Sequence, residues 1–208
     1  MNAVYTTDIL SRYQVPRHRL TRRDYHRMAE AGILGEDDRV ELLEGQLIEL
    51  ASIGPRHALA VDALNEMLVL AAVGQAVVRV QNPVVLDDTS EPRPDFALLR
   101  RPWDGYPHDH PPPSDIYLLI EVADSSLGFD RGPKLELYAR SGIREFWVVD
   151  LTTNRVLVHR NPNDGRYDSI SSVDMSGTLQ VEALPGVTIP VASIFVRYCR
   201  RDPAFGDG

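Results

Sequence analysis

The sequence is poor in cysteine and has no long apolar run. Its single cysteine, Cys199, leaves no intrachain disulfide to form. No apolar stretch approaches the roughly 20 residues that a bilayer-spanning helix needs. The first residues also lack the charged start and apolar core of a secretory signal. These absences argue against disulfide-stapled, membrane-spanning and secreted classes, so we expect a cytoplasmic protein with no membrane partner.

Lysine is almost absent as well. Lysine and arginine together number 22, and Lys134 is the only lysine among them. An ammonium group is compact and changes its pKa readily, whereas a guanidinium is planar and always charged. Because the chain uses arginine at every other basic position, Lys134 is a candidate for a chemical role that needs an ammonium group. Retention by chance is the alternative.

The formal net charge is −8 at pH 7, which argues mildly against broad, non-specific attraction to nucleic acid. The charges are nevertheless segregated, because residues 12–27 contain six arginines and one acidic residue. Acidic residues gather at 36–44 and again between 91 and 130. An acidic metal pocket flanked by arginines would give this distribution, and so would an ordinary acidic protein with a solvated, arginine-rich helix.

The chain of 208 residues, 43% of them hydrophobic, is long enough for one domain with a sizeable core. We predict an N-terminal arm over residues 1–19, a single domain over 20–195 and a C-terminal tail over 196–208.

The periodicity of apolar residues predicts an α/β fold. Helical patterns cover 21–31, 56–73 and 130–140, and a hairpin covers 39–43 and 46–53. Strands are predicted at 77–80, 84–86, 95–99, 116–122 and 146–149, followed by more exposed strands at 156–158, 167–170, 179–181 and 187–189. A proline-rich surface loop is predicted over 102–114. The expected architecture is a mixed central β-sheet flanked by helices, with extra C-terminal β-strands.

Two acidic residues at strand ends suggest chemistry. Glu121 lies near the end of a continuous apolar run, where a buried strand has little structural use for a carboxylate. Asp95 follows Pro94 at the start of another strand, although it could simply cap a turn. Two acids from neighbouring strand ends can hold a hard cation such as Mg²⁺, with Mn²⁺ as a substitute. Such a metal would stabilise charge on a phosphate and activate water.

An Asp followed by Glu-x-Lys is the arrangement of the PD-(D/E)XK nucleases. Asp95 matches the first part, but Ala123 stands where the lysine is expected after Glu121. Lys134, on the helix that follows, could supply the missing ammonium. Alternatively, Lys134 could lie on an exposed face of that helix and have no role in the site. Tyr138 lies one turn further on the same face and could support the site or simply pack in the core.

These motifs resemble the Uma-two family, a bacterial branch of the PD-(D/E)XK superfamily whose members are classed as restriction endonucleases. The resemblance covers about residues 20–195 and rests on an ordered set of segments: 40–45, His57, 94–95, 120–126, Lys134, Tyr138 and 141–150. It implies a restriction-endonuclease-like core, a Mg²⁺ site and a lysine that has moved from the strand to the helix. It also implies that Glu41 joins the site from the first hairpin.

Other candidates have competing interpretations. Glu44 could be the relevant acid in place of Glu41, or both could be solvated. His57 stands at a helix start, where it could cap the helix or orient a neighbour rather than act in catalysis. His108 and His110 have metal-like spacing but no third ligand, so we expect them to be solvated. Asp150 is expected to end a strand.

Three functions are consistent with the sequence. The first is a Mg²⁺-dependent endonuclease that acts on DNA, for which a homodimer would supply two sites for the two strands. The second is a catalytically silent nuclease-fold protein that binds nucleic acid or assists a mobile element. The third is an interaction domain with solvated acids, which predicts that Asp95, Glu121 and Lys134 lie far apart.

Overall fold

A computed structural model describes residues 15–35, 37–101, 105–107 and 109–195. The predicted tail, 196–208, and residues 1–14 of the predicted arm lie outside this range, and 15–19 have no regular secondary structure. The elements, in chain order, are α1 (Arg22–Glu30), β1 (Val40–Leu43), β2 (Gln46–Glu49), α2 (Pro55–Ala71), β3 (Val77–Val80), β4 (Phe96–Leu99), β5 (Ile116–Ala123), α3 (Leu127–Phe129), α4 (Leu135–Arg140), β6 (Glu145–Asp150), β7 (Arg155–Asn163), β8 (Arg166–Val173), β9 (Thr178–Val181), β10 (Leu184–Pro190) and α5 (Val191–Phe195).

One mixed sheet of six strands forms the centre of the fold, in the order β3-β4-β5-β6-β7-β8. β5 and β6 are parallel, and all other neighbours in this sheet are antiparallel. β1 pairs with β2 and β9 pairs with β10 in separate antiparallel hairpins. The α/β class and the mixed central sheet flanked by helices are therefore as predicted.

The sheet separates two hydrophobic cores, because consecutive residues of a strand point to opposite faces. Trp147 packs with α2, α5 and the β9–β10 hairpin in one core. Its neighbour Phe146 packs with α4 and Leu43 of the first hairpin in the other. A strand covered on both faces is mostly apolar, which explains the hydrophobic run of β5 before Glu121.

The N-terminal helix and the first hairpin form close to the predicted ranges 21–31, 39–43 and 46–53. Thr21 caps α1 in a reciprocal capping box with Asp24. Glu44 and Gly45 connect β1 to β2 with positive φ angles of 49° and 76°, as a tight hairpin turn requires. A Cβ on Gly45 would lie 2.5 Å from Cβ of Arg19, so this turn also needs glycine for the close approach of the preceding segment.

The predicted strand at 84–86 is not a strand. Val84 and Leu86 are buried, but their N–H groups donate to the carbonyl groups of Pro92 and Ser90 within the same loop. Burial of a short apolar run is therefore no sign of strand pairing, since loop residues can fill the same core.

The predicted helix at 130–140 is helical throughout, but its first five residues are not α-helical. Asp130–Lys134 form a π-helical turn between α3 and α4, and this turn contains Pro133. Proline has no N–H for the α-helical ladder, and wide turns of this kind are frequent at functional sites. The turn buries Asp130 and Lys134.

Two of the C-terminal strands belong to the central sheet, whereas the sequence predicted them as additions to it. β7 and β8 extend the central sheet, and Val156 and Val158 of β7 are buried. Only β9 and β10 form the separate addition, which packs against the core on the α2 side. Within the described ranges, no helix combines the length and apolarity needed to cross a membrane.

Candidate functional site

Sheet pairing brings Asp95 and Glu121 together. Asp95 immediately precedes β4, and β4 runs antiparallel to β5 with Phe96 opposite Ile120. The residue before β4 therefore lies beside the residue that follows Ile120, which is Glu121. Asp95 is held beside Glu121 by the next residue of β5, because Oδ2 of Asp95 accepts the backbone N–H of Val122 at 2.8 Å. Both carboxylates are buried.

The helical segment after β5 supplies two donors to Glu121. Nζ of Lys134 donates to Oε1 of Glu121 at 3.0 Å, and the hydroxyl of Tyr138 donates to the same oxygen at 2.7 Å. Residues four apart lie on one face of a helix, so the spacing of the two donors accounts for the shared acceptor. Lys134 is 3% exposed and Tyr138 is fully buried. Tyr138 thus contributes both to core packing and to the site.

Glu41 reaches the same place from β1. Its Oε2 accepts the backbone N–H of Arg93 at 2.9 Å, and its Oε1 lies 3.1 Å from Nζ of Lys134. The second contact is an ion pair without hydrogen-bond alignment, and Oε1 is a buried acceptor with no hydrogen-bond donor. The ammonium of Lys134 therefore lies between two buried glutamates. This convergence contradicts the interpretation in which Asp95, Glu121 and Lys134 are scattered over the surface.

His57, near the start of α2, contacts Asp95 rather than capping its helix. Nε2 lies 3.0 Å from Oδ1 of Asp95, and Nδ1 lies 3.0 Å from the carbonyl oxygen of Val122. A carbonyl only accepts, so Nδ1 carries a proton, and a carboxylate favours a proton on Nε2 as well. Burial alone would lower the pKa of His57, but the close carboxylate of Asp95 outweighs it and raises the pKa.

The site also contains two residues, Gln81 and Asp130, that the sequence did not indicate. Nε2 of Gln81 donates to Oδ1 of Asp95 at 3.1 Å. Asp130 is buried on the π-helical turn, where Oγ of Ser126 donates to its Oδ2. Burial raises the pKa of Asp130 against the opposing effect of Lys134. Gln81 has no sequence signal, whereas Asp130, four residues before Lys134, shares its helical face.

The site has more buried negative charge than its cations neutralise. Four acidic side chains surround it: Glu41, Asp95, Glu121 and Asp130. Burial raises the pKa of Glu121 well above its usual value; Lys134 opposes this effect, and the three other carboxylates add to it. Burial alone would lower the pKa of Lys134, but Glu121, Glu41 and Asp130 raise it. Lys134 is therefore charged, and it provides the main compensation for Glu41 and Glu121.

The donor set suits a hard divalent cation, because it consists of carboxylate oxygens in an acidic, partly uncompensated cluster. The acceptor Oε1 of Glu41, which receives no hydrogen bond, is a further sign of fit. The side chains are not already spread around a cation position, however: no group of three or more His, Cys, Asp or Glu among the described residues is arranged to hold a metal ion. Lys134, His57 and backbone N–H groups contact the oxygens instead.

The remaining candidates lie outside the site. Glu44 is half exposed and pairs with Arg140 at 2.6 Å, so it does not replace Glu41. Asp150 accepts hydrogen bonds from Thr152 and Thr153, as expected of a residue that ends a strand. His108 is outside the described residues. His110 is partly buried between Glu91 and Arg79 rather than solvated as predicted.

Comparison with known proteins identifies the family. The model of the Uma2 family, described as "Putative restriction endonuclease", matches residues 22–192. The chain belongs to the Uma2 family. No curated protein matches the sequence.

The Uma2 chain also resembles a solved structure. This is the crystal structure titled "a putative nuclease belonging to DUF820" from Anabaena variabilis ATCC 29413. The two chains share 15% sequence identity with a TM-score of 0.62, over 80% of this chain and 95% of the other. At this identity the likeness shows the fold, an α/β architecture with a mixed central sheet flanked by helices, as predicted from the sequence.

The contacts of His57 lead to a first prediction for this Uma2 protein. Replacing His57 by alanine should weaken divalent-metal binding or metal-dependent activity about 10- to 100-fold, because Asp95 loses the side chain that orients it. Titration calorimetry with Mn²⁺ measures the affinity, with His110→Ala as the matched control because His110 makes no contact with Asp95. Equal affinities for His57→Ala and wild type would mean that His57 only packs against the strand.

Proposed function

We propose that this Uma2-family protein is a metal-dependent endonuclease that hydrolyses phosphodiester bonds in DNA. The observation that carries the proposal is the single buried cluster formed by Asp95, Glu121 and Lys134, the chain's only lysine. Three different segments deliver these residues, and a purely structural role would not require such a concentration of charge at one strand end.

In the proposed site, Asp95 and Glu121 hold Mg²⁺, or Mn²⁺ as a substitute, and Glu41 assists directly or through water. The bound metal would stabilise negative charge on the phosphate and lower the pKa of an attacking water. Lys134 positions the nucleophilic water or neutralises the charge that develops on the phosphate. Tyr138 and His57 hold Glu121 and Asp95 in place through the hydrogen bond and ion pair described above.

Arginines at the rim are candidates for phosphate contacts. Arg93 is exposed beside Asp95, Arg131 is exposed beside Asp130, and Arg56 is exposed next to His57, where it pairs with Asp124. Guanidinium groups bind phosphate in a bidentate manner, so these side chains could direct a DNA strand toward the acidic cluster in spite of the net charge of −8. A homodimer would allow two such sites to cut both strands of a duplex.

The test is cleavage of supercoiled and linear DNA with Mg²⁺ or Mn²⁺ by the wild type, Asp95→Ala and Lys134→Ala. We expect metal-dependent cutting by the wild type and its loss in both variants, with circular dichroism as the control for folding. Arg160→Met, which alters an ion pair elsewhere in the fold, should still cut. Loss of cutting in Arg160→Met as well would trace the defect to folding instead of the site.

A catalytically silent nucleic-acid-binding protein is the second candidate function. The observation that favours it is the almost complete burial of the acidic cluster, in which protein groups already contact most of the oxygens. A folded wild type that binds metal and DNA but cuts neither substrate would favour this function. Absence of both metal binding and cutting would contradict the site assignment altogether.

A further inference from the structure

The ammonium of Lys134 lies between two buried glutamates, whose negative charges need a positive partner. Nζ lies 3.0 Å from Oε1 of Glu121 and 3.1 Å from Oε1 of Glu41. Both glutamates are buried, and burying an unpaired carboxylate is costly. The lysine therefore serves as the counter-ion that makes a cluster of buried acids compatible with a folded chain.

The same two glutamates are among the residues that would hold a divalent cation in the proposed site. Oε1 of Glu121 already accepts from both Lys134 and Tyr138. A divalent cation placed on these carboxylates would bring two positive centres close together in surroundings of low polarity, where their repulsion is strong. This conflict also explains why the described side chains supply suitable donor atoms but no ready-made cluster for a metal.

We infer that Lys134 and a divalent cation compete for Glu41 and Glu121, so that the ammonium must leave these carboxylates when metal binds. The inference rests on the metal site of the proposed function and goes beyond it by assigning Lys134 a second role. The lysine that would act in catalysis also stabilises the metal-free protein and weakens its metal affinity.

The turn that carries Lys134 is partly exposed, although Lys134 itself is buried. Lys134 ends the π-helical turn, in which Arg131 and Pro133 are exposed and a Cβ on Gly132 would meet nothing within 4 Å. Its four-carbon stem has several rotatable bonds. Nζ also lies 5.9 Å from the ring centroid of Phe129, so an aromatic face is within range of the ammonium.

The first test uses the wild-type protein and the fact that it has one lysine. An amine-reactive ester should modify Lys134 slowly in EDTA and several-fold faster with Mn²⁺, as measured by peptide mass spectrometry over time. The α-amino group of the same chain is the internal standard for reagent reactivity. In Glu121→Gln, which lacks one of the contested carboxylates, Mn²⁺ should change the labelling rate much less.

The second test measures Mn²⁺ affinity by titration calorimetry. Lys134→Met should bind Mn²⁺ about tenfold more tightly or better, because a competing positive charge is removed at close range. Lys134→Arg keeps the charge and should not show this gain. Arg160→Met is the matched control, since it removes a cation from the buried Glu145 outside the site and should leave the affinity unchanged.

Equal or weaker affinity of Lys134→Met, or a labelling rate insensitive to Mn²⁺, would overturn the inference. If the wild type still cuts DNA with metal in that case, the proposed function stands and only the competition fails. If the folded wild type neither binds Mn²⁺ nor cuts, the inference and the proposed function fail together. The labelling test needs no lysine substitution, so it decides the matter even if Lys134→Met does not fold.

Discussion

Replacing Lys134 by methionine should lower the free energy of unfolding by about 3 to 5 kcal/mol at neutral pH in EDTA, because the change leaves buried carboxylates without their counter-ion. Glu41 and Glu121 are 0% and 4% exposed, so water cannot replace the lost ammonium. Urea denaturation monitored by tryptophan fluorescence measures the change. A loss below about 1 kcal/mol, typical of a surface ion pair, would contradict the structural role of Lys134.

The pH dependence of this loss has a definite sign. The pKa of Glu121 is raised, mainly by burial, so Glu121 takes up a proton at a higher pH in the folded protein than in the unfolded chain. A raised pKa contributes stability below the unfolded value of 4.5 and loses it as the pH rises through the folded value. The destabilisation of Lys134→Met should therefore be smaller near about pH 5 than near about pH 8, because protonated Glu121 needs no counter-ion.

Two controls isolate the charge effect. Adding Glu41→Gln and Glu121→Gln to Lys134→Met removes the uncompensated charges, so the triple variant should recover part of the lost stability. Arg160→Met should cost less than Lys134→Met, because Arg160 is 31% exposed and Glu145 keeps hydrogen bonds from Trp147 and Glu182. No recovery in the triple variant would mean that lost packing of the lysine stem, and not charge, causes the effect.

Replacing Glu121 by glutamine should lower the rate of metal-dependent DNA cleavage about 10²- to 10³-fold or more, since a central charge of the proposed site is lost. The change should affect folding far less. The amide oxygen of glutamine can still accept from Tyr138 and Lys134, and Lys134 keeps its ion pair with Glu41. Cleavage of supercoiled DNA at saturating Mg²⁺ gives the rate, and urea denaturation gives the stability.

The matched control for this experiment is Glu145→Gln. Glu145 is also a buried strand glutamate with a cationic partner, but it binds Arg160 and Trp147 away from Lys134. Its replacement should reduce stability and leave the cleavage rate per folded molecule unchanged. A Glu121→Gln variant that cuts as fast as Glu145→Gln would remove Glu121 from the proposed mechanism.

The sequence predicted those parts of the fold that depend on local pattern. The apolar run of β5 and the hairpin of β1 and β2 are properties of a few neighbouring residues, and both appear as expected. The position of β7 and β8 in the central sheet depends on pairing between distant segments, which periodicity does not report. The strand predicted at 84–86 was wrong for a related reason. Its apolar residues are buried in the core, but they belong to a loop that pairs with itself.

The candidate site was predictable where a residue type conflicts with its surroundings. Glu121 in an apolar strand, and Lys134 in a chain that otherwise uses arginine, are such conflicts, and the structure places them in direct contact. The groups that donate hydrogen bonds to Asp95 and Glu41 could not be recognised in the sequence in this way. Gln81 is an ordinary polar residue in the sequence, and Arg93 contributes its backbone N–H, a group that every residue except proline has.

β5 and β6 are the one parallel pair of the central sheet, and this pairing has a consequence for how such a site can change during evolution. Parallel neighbours cannot be joined by a tight turn, so the chain must leave the end of β5 and travel back before β6 begins. The returning segment brings Lys134 to the side of Glu121, which is two residues before Ala123 at the end of the strand. Residues 121 and 123 point to the same face of β5, so an amine at 123 or on the returning segment would lie on the side of the same carboxylate. Relocating the lysine therefore requires two point substitutions and no change in the path of the chain.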